Sequence, residues 1–354
     1  MQYVRHESAL RNAIDTRWPR PSHHTCDDLQ NLMGIAPHKV APAVSYPNYP
    51  FGARHLQAFA LAALSVDRTM LLCGILSYAS ILALALAAWC NAPAMAVRVV
   101  LPIGLALVFA FEQHRYADDM TFSPGVFVGF FALAVFLAAR RIFERPRARI
   151  GFFTFLGGIC AYLDILHGVI PVMLSLAIVL NHFFYARREQ WRAATLEAAT
   201  IVGCFVFAFI VLTGGRLLVL SSIAGTDWPV QFFMRGLSFR LGDFVPGIGR
   251  VGIGDVAQKL WNERSEMTGN KTASTVLLIT ASVSWLVSAL LLLVRDAATR
   301  TDMAVLALAG GGILIWYAVF LNHTHIHAWL MVRMLALPVA YGFAAALLSV
   351  RPFR

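Results

Sequence analysis

Five arginines and one glutamate occupy the segment R-R-I-F-E-R-P-R-A-R, residues Arg140–Arg149, which lies between two long apolar runs. Short loops rich in arginine stay on the cytoplasmic side of a membrane, so this segment is predicted to be cytoplasmic. A second arginine group at residues 187–192 follows the next apolar block, residues 150–180. Since both groups are predicted to lie on one side, the block must cross the membrane twice, as a hairpin of two short helices. Three residues interrupt the block and are predicted to form its turn: Asp164, His167 and Gly168.

The composition is that of a polytopic membrane protein. The chain has 354 residues, of which 58% are hydrophobic and 14% are charged, and its mean hydropathy is +0.66. A soluble domain carries about 25% charged residues. The net charge of +10 would suggest nucleic acid in a soluble protein, but here the arginines gather in short loops between apolar runs. We therefore exclude nucleic acid as a partner and expect membrane lipid.

Apolar runs of about 20 residues, the length needed to cross a bilayer, recur along the chain. Besides the two halves of block 150–180, spans are predicted at residues 70–89, 94–111, 122–139, 196–218, 272–294, 303–321 and 329–349. Arginines at residues 295–300 and at the C-terminus fall on the same side as the first two groups. The predicted fold is all-α, a polytopic transmembrane helical bundle with about nine crossings and a cytoplasmic C-terminus.

Two regions are predicted along the chain. Residues 1–68 form a polar extracytoplasmic segment that ends in an interfacial helix at residues 56–64, whose apolar run is too short to span a bilayer. Residues 69–354 form the transmembrane helical domain, which includes an extracytoplasmic loop at residues 221–271 with further interfacial helices. No signal in residues 1–68 would carry that segment across the membrane, so we expect it to follow a first span that this chain lacks.

Nearly all unusual polar residues fall on the predicted extracytoplasmic side, whereas the cytoplasmic side offers arginines and little else. Acid–base chemistry needs carboxylates or histidines in partly buried positions, and phosphate recognition needs arginine or lysine near the membrane surface. The candidate catalytic residues are Asp164, Asp118 and Asp119. The candidate substrate-binding residues are Arg54, His55, His167, Arg240, His323, His325, His327 and Arg333.

Asp164 is the first of the candidate catalytic residues. A carboxylate at the turn of a membrane hairpin is partly desolvated, which favours its protonated form unless a cation pairs with it. Such a group suits a general base or a metal ligand, and it equally suits a helix N-cap at a tight turn. Asp118 and Asp119 would either bind a divalent cation or simply be solvated. A divalent cation is therefore the one cofactor that the sequence suggests, and its identity stays unknown.

The segment Asn322–Arg333, N-H-T-H-I-H-A-W-L-M-V-R, carries three histidines in five residues and then an arginine. In an extended chain the three imidazoles point one way and suit a transition metal, whereas in a helix His323 and His327 share a face. Contact with a phosphate or an acidic substrate group and a purely interfacial role are the other interpretations. Arg333 either snorkels to the membrane surface or binds a lipid phosphate.

Three stretches of the chain resemble stretches of poorly characterised bacterial polytopic membrane proteins. They are Y-P-N-Y-P-F-G-A-R-H at Tyr46–His55, G-G-I-C-A-Y-L-D-I-L-H-G-V-I-P-V-M-L at Gly157–Leu174, and the segment Asn322–Arg333. Their layout is similar to that of the GT-C-type glycosyltransferases, which use polyprenyl-phosphate sugars. The resemblance implies a GT-C-like fold and a lipid-phosphate sugar donor at a bacterial inner membrane. Such enzymes begin with a span and a large loop that holds a catalytic carboxylate. Without that span, the equivalent acidic residue is absent or is Asp27 or Asp28.

The sequence therefore predicts an integral membrane glycosyltransferase-like protein that transfers a sugar from a lipid-phosphate donor at the extracytoplasmic face. In this interpretation a carboxylate deprotonates the acceptor hydroxyl, while Arg333, Arg240 or the histidines hold the phosphate. A transporter or lipid flippase is the alternative, since the break at Asp164 resembles the broken helices of transporters. A non-catalytic membrane assembly subunit is the third interpretation, which a true absence of the first span would favour.

Overall fold

Helices dominate the part of the chain that the computed structural model describes, which comprises residues 17–19, 43–45, 52–109, 123–163, 168–185, 190–245, 247–291 and 295–350. Its few strands form two short antiparallel pairs. The pairs are β1 Arg17–Pro19 with β2 Ala43–Ser45, and β3 Phe244–Val245 with β4 Gly249–Arg250. The all-α class that the sequence predicts is confirmed.

The helices follow the predicted apolar runs closely. In chain order they are α1 Gly52–Ala63, α2 Val66–Asn91, α3 Pro93–Phe109, α4 Ser123–Ala138, α5 Arg140–Phe143, α6 Pro146–Leu163, α7 Val169–Tyr185, α8 Trp191–Ala224, α9 Trp228–Leu241, α10 Ile253–Asn262, α11 Lys271–Leu291, α12 Ala297–Val319, α13 Leu321–Ile326 and α14 Ala328–Ser349. Within the described ranges five of them are long and apolar enough to cross a membrane: α2, α8, α11, α12 and α14. The shorter helices α3, α4 and α7 are apolar too. These helices and the composition are those of a membrane protein.

Helices α6 and α7 are antiparallel, as the arginine pattern predicts. Near the end of α4, the centroid of the Phe136 ring lies 4.9 Å from that of Phe152, which is near the start of α6. The same ring lies 4.6 Å from the ring of Tyr185, the last residue of α7. Since the start of α6 and the end of α7 meet at one place, the two helices form a hairpin. The predicted turn residues Asp164 and His167 lie outside the described residues.

The starts of α6, α8 and α12 meet at one end of the bundle, which we call the arginine end. Arg149 near the start of α6 lies 3.3 Å from Glu197 near the start of α8. His182 near the end of α7 lies 2.8 Å from Asp302 near the start of α12. The arginine groups at residues 140–149, 192 and 295–300 therefore share one end, which is the arrangement that the sequence predicts.

Helices α12 and α14 form a second antiparallel pair. The Tyr317 hydroxyl donates a hydrogen bond to the main-chain oxygen of Met331 at 2.7 Å, and Gly310 packs against Pro338 and Tyr341. The end of α14 therefore returns to the arginine end. With 72% of its most apolar window buried, α14 is the most enclosed of the five long apolar helices, so it forms the centre of the bundle.

A polar contact joins three helices inside the core. The Ser175 hydroxyl of α7 donates to the main-chain oxygen of Ala309 in α12 at 3.1 Å. It also shares a hydrogen bond of 2.8 Å with the Tyr341 hydroxyl of α14. Both side chains are buried, where an unpaired hydroxyl would be costly. The contact therefore fixes the positions of α7, α12 and α14 relative to one another along the bundle axis.

The opposite end of the bundle, which we call the histidine end, carries α13 and the segment between α8 and α11. That segment consists of α9, the β3–β4 hairpin, α10 and a single 3₁₀ turn at Arg264–Met267. Helix α10 ends at Asn262, and the 3₁₀ turn follows it. Helix α9 and α10 both contact α13. The loop between the spans therefore folds over the histidines.

Candidate functional site

The histidines lie on a short helix between two long ones. Helix α12 ends at Val319, α13 covers Leu321–Ile326, and the chain bends again at His327 before α14 begins. Of the two conformations considered for the histidine triplet, the helical one is therefore correct. The rings of His323 and His327 lie side by side, with centroids 4.7 Å apart and planes tilted by 52°. His325 projects elsewhere on the helix and is half-buried.

The protonation of His327 is biased towards the neutral imidazole. Burial is the main reason that the pKa of His327 lies below its usual value of 6.5, and the positive charge of Arg240 lowers it further. Arg240 is itself buried, with 8% of its surface exposed. A buried guanidinium next to a neutral imidazole provides several hydrogen-bond donors and a positive charge. This combination suits an anionic group, because an anion accepts hydrogen bonds from a guanidinium and from an imidazole N–H.

Asn322 attaches the loop between α8 and α11 to the histidine helix. Its side-chain nitrogen donates hydrogen bonds to the main-chain oxygens of Phe239 at 2.8 Å and Phe244 at 2.6 Å. Phe239 immediately precedes Arg240. The fully buried Asn322 therefore positions the end of α9, and with it the Arg240 guanidinium, over α13.

Arg333 is buried and paired, so snorkelling to the surface, one of the two interpretations left open for it, does not occur. Only 3% of Arg333 is exposed. Its Nε donates to the main-chain oxygen of Glu266 and its Nη2 to Glu266 Oε2, both at 3.3 Å. Its guanidinium carbon also lies 5.9 Å from the centre of the Trp329 ring. The sequence analysis missed Glu266, because it lies 67 residues away and nothing local marks it as a partner.

Gly168, the last of the three residues predicted to form the hairpin turn, lies at the same place. It packs so closely on Met334 that a Cβ built on it would lie 2.6 Å from the Met334 sulfur. Met334 follows Arg333 directly. The structure therefore brings the start of α7, the Arg333–Glu266 pair and the histidine helix together at one end.

Two side-chain oxygens of α13 are enclosed in the protein interior. Asn322 Oδ1 and Thr324 Oγ1 have no hydrogen-bond partner among the described residues, although both side chains are fully buried. Buried oxygens of this kind nearly always have a partner in folded proteins. We expect that bound water or substrate hydroxyls supply these partners.

An apolar groove of about 540 Å³ runs between α7, α8 and α12. Its lining extends from Pro171 to Ile178 on α7, which corresponds to roughly 10 Å along the helix axis. Trp316 also lines the groove and contacts Phe320, with ring centroids 4.4 Å apart and planes tilted by 37°. Phe320 directly precedes the histidine helix. The groove therefore leads towards the histidine end.

The groove presents almost no available polar group except one indole. The hydroxyl of Ser175 is engaged with α12 and α14, and that of Thr195 donates to the main-chain oxygen of Trp191 at 3.0 Å. The buried Trp316 Nε1 has no acceptor within the described part of the chain. A hydrocarbon chain matches such a lining, and the indole N–H suits a polar atom at the end of that chain.

The side chains of the other predicted site residues lie outside the described part of the structure. Asp164, His167, Asp118 and Asp119 lie outside the described residues. Arg54 and His55 belong to α1, and their side chains are outside the described part as well. Among the residues described, no group of three or more His, Cys, Asp or Glu could hold a metal ion. The divalent cation thus stays a prediction.

The expectation that the arginine end offers arginines and little else is wrong. His182 Nε2 lies 2.8 Å from Asp302 Oδ1, and neither residue is more than 3% exposed. Next to it, Asn181 donates to Glu197 Oε2 at 2.8 Å, and Arg149 donates to Glu197 Oε1 at 3.3 Å. The sequence analysis placed His182 just beyond a span and Asp302 just before one. It therefore missed a buried polar network.

No family model, no curated protein and no solved structure matches this chain. The function must therefore be inferred from the geometry of the described residues.

Proposed function

We propose that this chain is a multi-pass protein of the bacterial inner membrane, with about nine crossings and a cytoplasmic C-terminus, that binds a polyprenyl-phosphate sugar at its extracytoplasmic end. It transfers that sugar to an acceptor hydroxyl, in the manner of GT-C-type glycosyltransferases. The histidine end is the extracytoplasmic end, and the arginine end faces the cytoplasm.

One observation carries the proposal: an apolar groove between membrane helices leads towards the end of the bundle where the buried Arg240 lies beside His327. The groove accommodates part of an isoprenoid chain, because its two lining hydroxyls are already engaged in hydrogen bonds. Arg240 and His327, at the histidine end, supply the charge and the donors that a phosphate requires. A lipid phosphate is the one membrane component that combines both features.

The chemistry follows from charge development at the phosphate. When the bond between the sugar and the phosphate oxygen breaks, negative charge grows on the leaving phosphate. Buried Arg240 stabilises that charge more strongly than an exposed arginine would, because the dielectric constant around it is low. The acceptor hydroxyl loses its proton to a carboxylate, and Asp164 remains the predicted base. Asn322 Oδ1 and Thr324 Oγ1 are suited to bind the hydroxyls of the sugar.

The first test measures binding. Purified protein in nanodiscs is titrated with radiolabelled undecaprenyl phosphate and, separately, with undecaprenol, which lacks the phosphate. We expect the phosphate to bind more tightly, and Arg240→Gln to weaken it by about 10-fold, which is roughly 1.4 kcal/mol. Arg235→Gln is the matched control, since Arg235 lies on the same helix and is exposed. Equal affinity for the two lipids, or equal losses in both variants, would contradict the proposal.

The second test measures transfer. Membranes that contain the protein receive undecaprenyl-phosphate glucose labelled in the sugar, and label in lipid-free products is counted. We expect transfer by the unaltered protein and at least a 100-fold loss in Asp164→Asn, which keeps its shape but cannot accept the proton. Unchanged transfer by the Asp164→Asn, His327→Ala double variant, at normal membrane levels, would refute these roles.

Topology is tested separately with reporter fusions. We expect fusions after Arg145 to report the cytoplasm and fusions at His325 to report the opposite compartment. If both positions report one compartment, the assignment of the two ends fails, whatever the binding result.

Transport of a lipid is the second candidate function, and the buried His182–Asp302 pair favours it. Ionisable residues inside a membrane bundle often mark a proton pathway. Reconstituted protein should then move a fluorescent lipid phosphate between leaflets, at a rate that depends on an imposed pH gradient. A rate independent of the gradient and equal to that of empty vesicles would exclude this function.

A further inference from the structure

A second cavity, of about 570 Å³, lies at the arginine end and shares no lining residue with the groove. It is formed by the end of α2, the end of α4 and the short helix α5. Its lining comprises Asn91, Ala138, Ala139, Arg140, Arg141, Ile142 and Glu144. The Asn91 side chain donates to the main-chain oxygens of Ala87 at 2.8 Å and Leu137 at 3.0 Å, which fastens α2 to α4. The rim of the cavity is therefore fixed by the helix ends.

The polar part of the cavity is cationic. Arg140 and Arg141 are both exposed, and the only acidic residue in the lining, Glu144, lies 3.8 Å from Arg140 Nε. That contact is long and its partners are exposed, with side-chain exposures of 47% and 63%, so it holds Arg140 only weakly. Both guanidinium groups are available to a stronger anion. A phosphate suits them best, because the planar guanidinium binds its oxygens in pairs.

The cavity continues into an apolar surface. Ile142 in its lining is 60% exposed, and Val135, one turn before Ala138 on α4, is 57% exposed. Residues three apart lie on the same face of a helix. An apolar face therefore runs from the cavity along a membrane helix. Inorganic phosphate or a soluble nucleotide would leave this face without a partner, whereas the acyl chain of a phospholipid covers it.

We propose that this cavity binds one anionic phospholipid, with its phosphate between Arg140 and Arg141 and an acyl chain along the Val135 face of α4. Clusters of arginines directly beside a membrane helix attract anionic headgroups. The site is independent of the proposed transfer reaction and would exist in a transporter as well. It would also order the segment of five arginines that fixes the orientation of the chain.

Native mass spectrometry of the purified full chain tests the proposal. Detergent-solubilised protein is titrated with phosphatidylglycerol, with zwitterionic phosphatidylcholine of the same chain length, and with inorganic phosphate. We expect one phosphatidylglycerol to bind at least 5-fold more tightly than phosphatidylcholine, and no competition by inorganic phosphate at equal concentration. Equal binding of the two lipids, or displacement of phosphatidylglycerol by inorganic phosphate, would overturn the proposal.

Charge-conserving variants distinguish a specific binding site from a general effect of positive charge. Arg140→Lys with Arg141→Lys keeps the charge and the predicted orientation but loses paired hydrogen bonds to the phosphate, so binding should fall about 5-fold. Arg145→Lys with Arg147→Lys, in the same segment but outside the cavity lining, should change binding less than 2-fold. Glu144→Gln removes a competing anion and should strengthen binding about 2-fold. Equal losses in the two lysine pairs, or weaker binding in Glu144→Gln, would show that no specific site exists.

Discussion

Replacing Gly168 by alanine tests how the hairpin meets the candidate site. Gly168 has a φ of +101°, which an alanine tolerates poorly, at a cost of about 1–2 kcal/mol. The added Cβ would lie 2.6 Å from the sulfur of Met334, a side chain with 0% exposure. Overpacking a well-filled core costs about 1–3 kcal/mol. We therefore expect Gly168→Ala to reduce the free energy of unfolding by about 2–5 kcal/mol.

Gly225→Ala is the matched control. Gly225 also has a positive φ, +64°, and no other atom would lie within 4 Å of its Cβ. Its substitution should cost only the backbone part, about 1–2 kcal/mol. Unfolding can be followed with a thiol-reactive dye, because Cys73, Cys160 and Cys204 are buried and become reactive only when the bundle opens. The exposed Cys90 and also Cys26, which lies outside the described residues, are replaced by serine in every sample.

A double-mutant cycle with Met334→Ala isolates the steric overlap between the new Cβ at position 168 and the Met334 side chain. Shortening Met334 removes the atoms that the new Cβ would meet, so the double variant should be more stable than the sum of the single effects by about 1–3 kcal/mol. If Gly168→Ala is no less stable than Gly225→Ala, or if the two substitutions at 168 and 334 are simply additive, then the hairpin does not pack on the residue beside Arg333.

Three further predictions concern the two ends of the bundle. Asp302→Ala leaves the buried His182 without its carboxylate and should destabilise the protein by about 3–5 kcal/mol in a thermal unfolding assay. Replacing both His182 and Asp302 by leucine should recover most of that loss. The folded-state pKa of His327 lies below 6.5, so just below pH 6.5 the unfolded chain binds more protons than the folded protein. Stability should therefore fall as the pH drops from 6.5 towards the folded-state pKa. His327→Gln should lessen this dependence in melting curves at pH 7.5 and 5.5. Asn322→Ala loses hydrogen bonds to two main-chain carbonyls, so residues 244–252 should become more sensitive to limited proteolysis, and unchanged cleavage would contradict the role of Asn322.

The arrangement of the helices could be predicted because it depends on local patterns. The arginines at residues 140–149 and 187–192 required an even number of crossings between them, and α6 and α7 form that hairpin. The helical conformation of α13 stayed open, because alternating histidines suit a strand and a helix equally well. The tertiary structure decides it, since Asn322 fixes α13 against α9 and the β3–β4 hairpin.

The contacts within the candidate site could not be predicted, because they join distant parts of the chain. Arg333 and Glu266 are 67 residues apart, and His182 and Asp302 are 120 residues apart. Each residue alone resembles a polar group near the end of a span. Only the fold shows that Arg333 and His182 are each buried next to a carboxylate. A buried charged group needs such a partner to be stable inside a bundle.

Helix α7 connects the two ends and determines how the groove can bind a lipid chain. Three contacts fix it along its length: Gly168, directly before its first residue, packs against α14, Ser175 bonds to α12 and α14, and His182 bonds to α12. Val169 and His182 lie about 20 Å apart along the axis, at about 1.5 Å per residue. These contacts fix the wall of the groove that α7 and α12 form, over the whole length of the groove. A hydrocarbon chain would therefore enter a preformed surface, and its burial would contribute about 25 cal/mol per Å² with little of the entropic cost of ordering the helices.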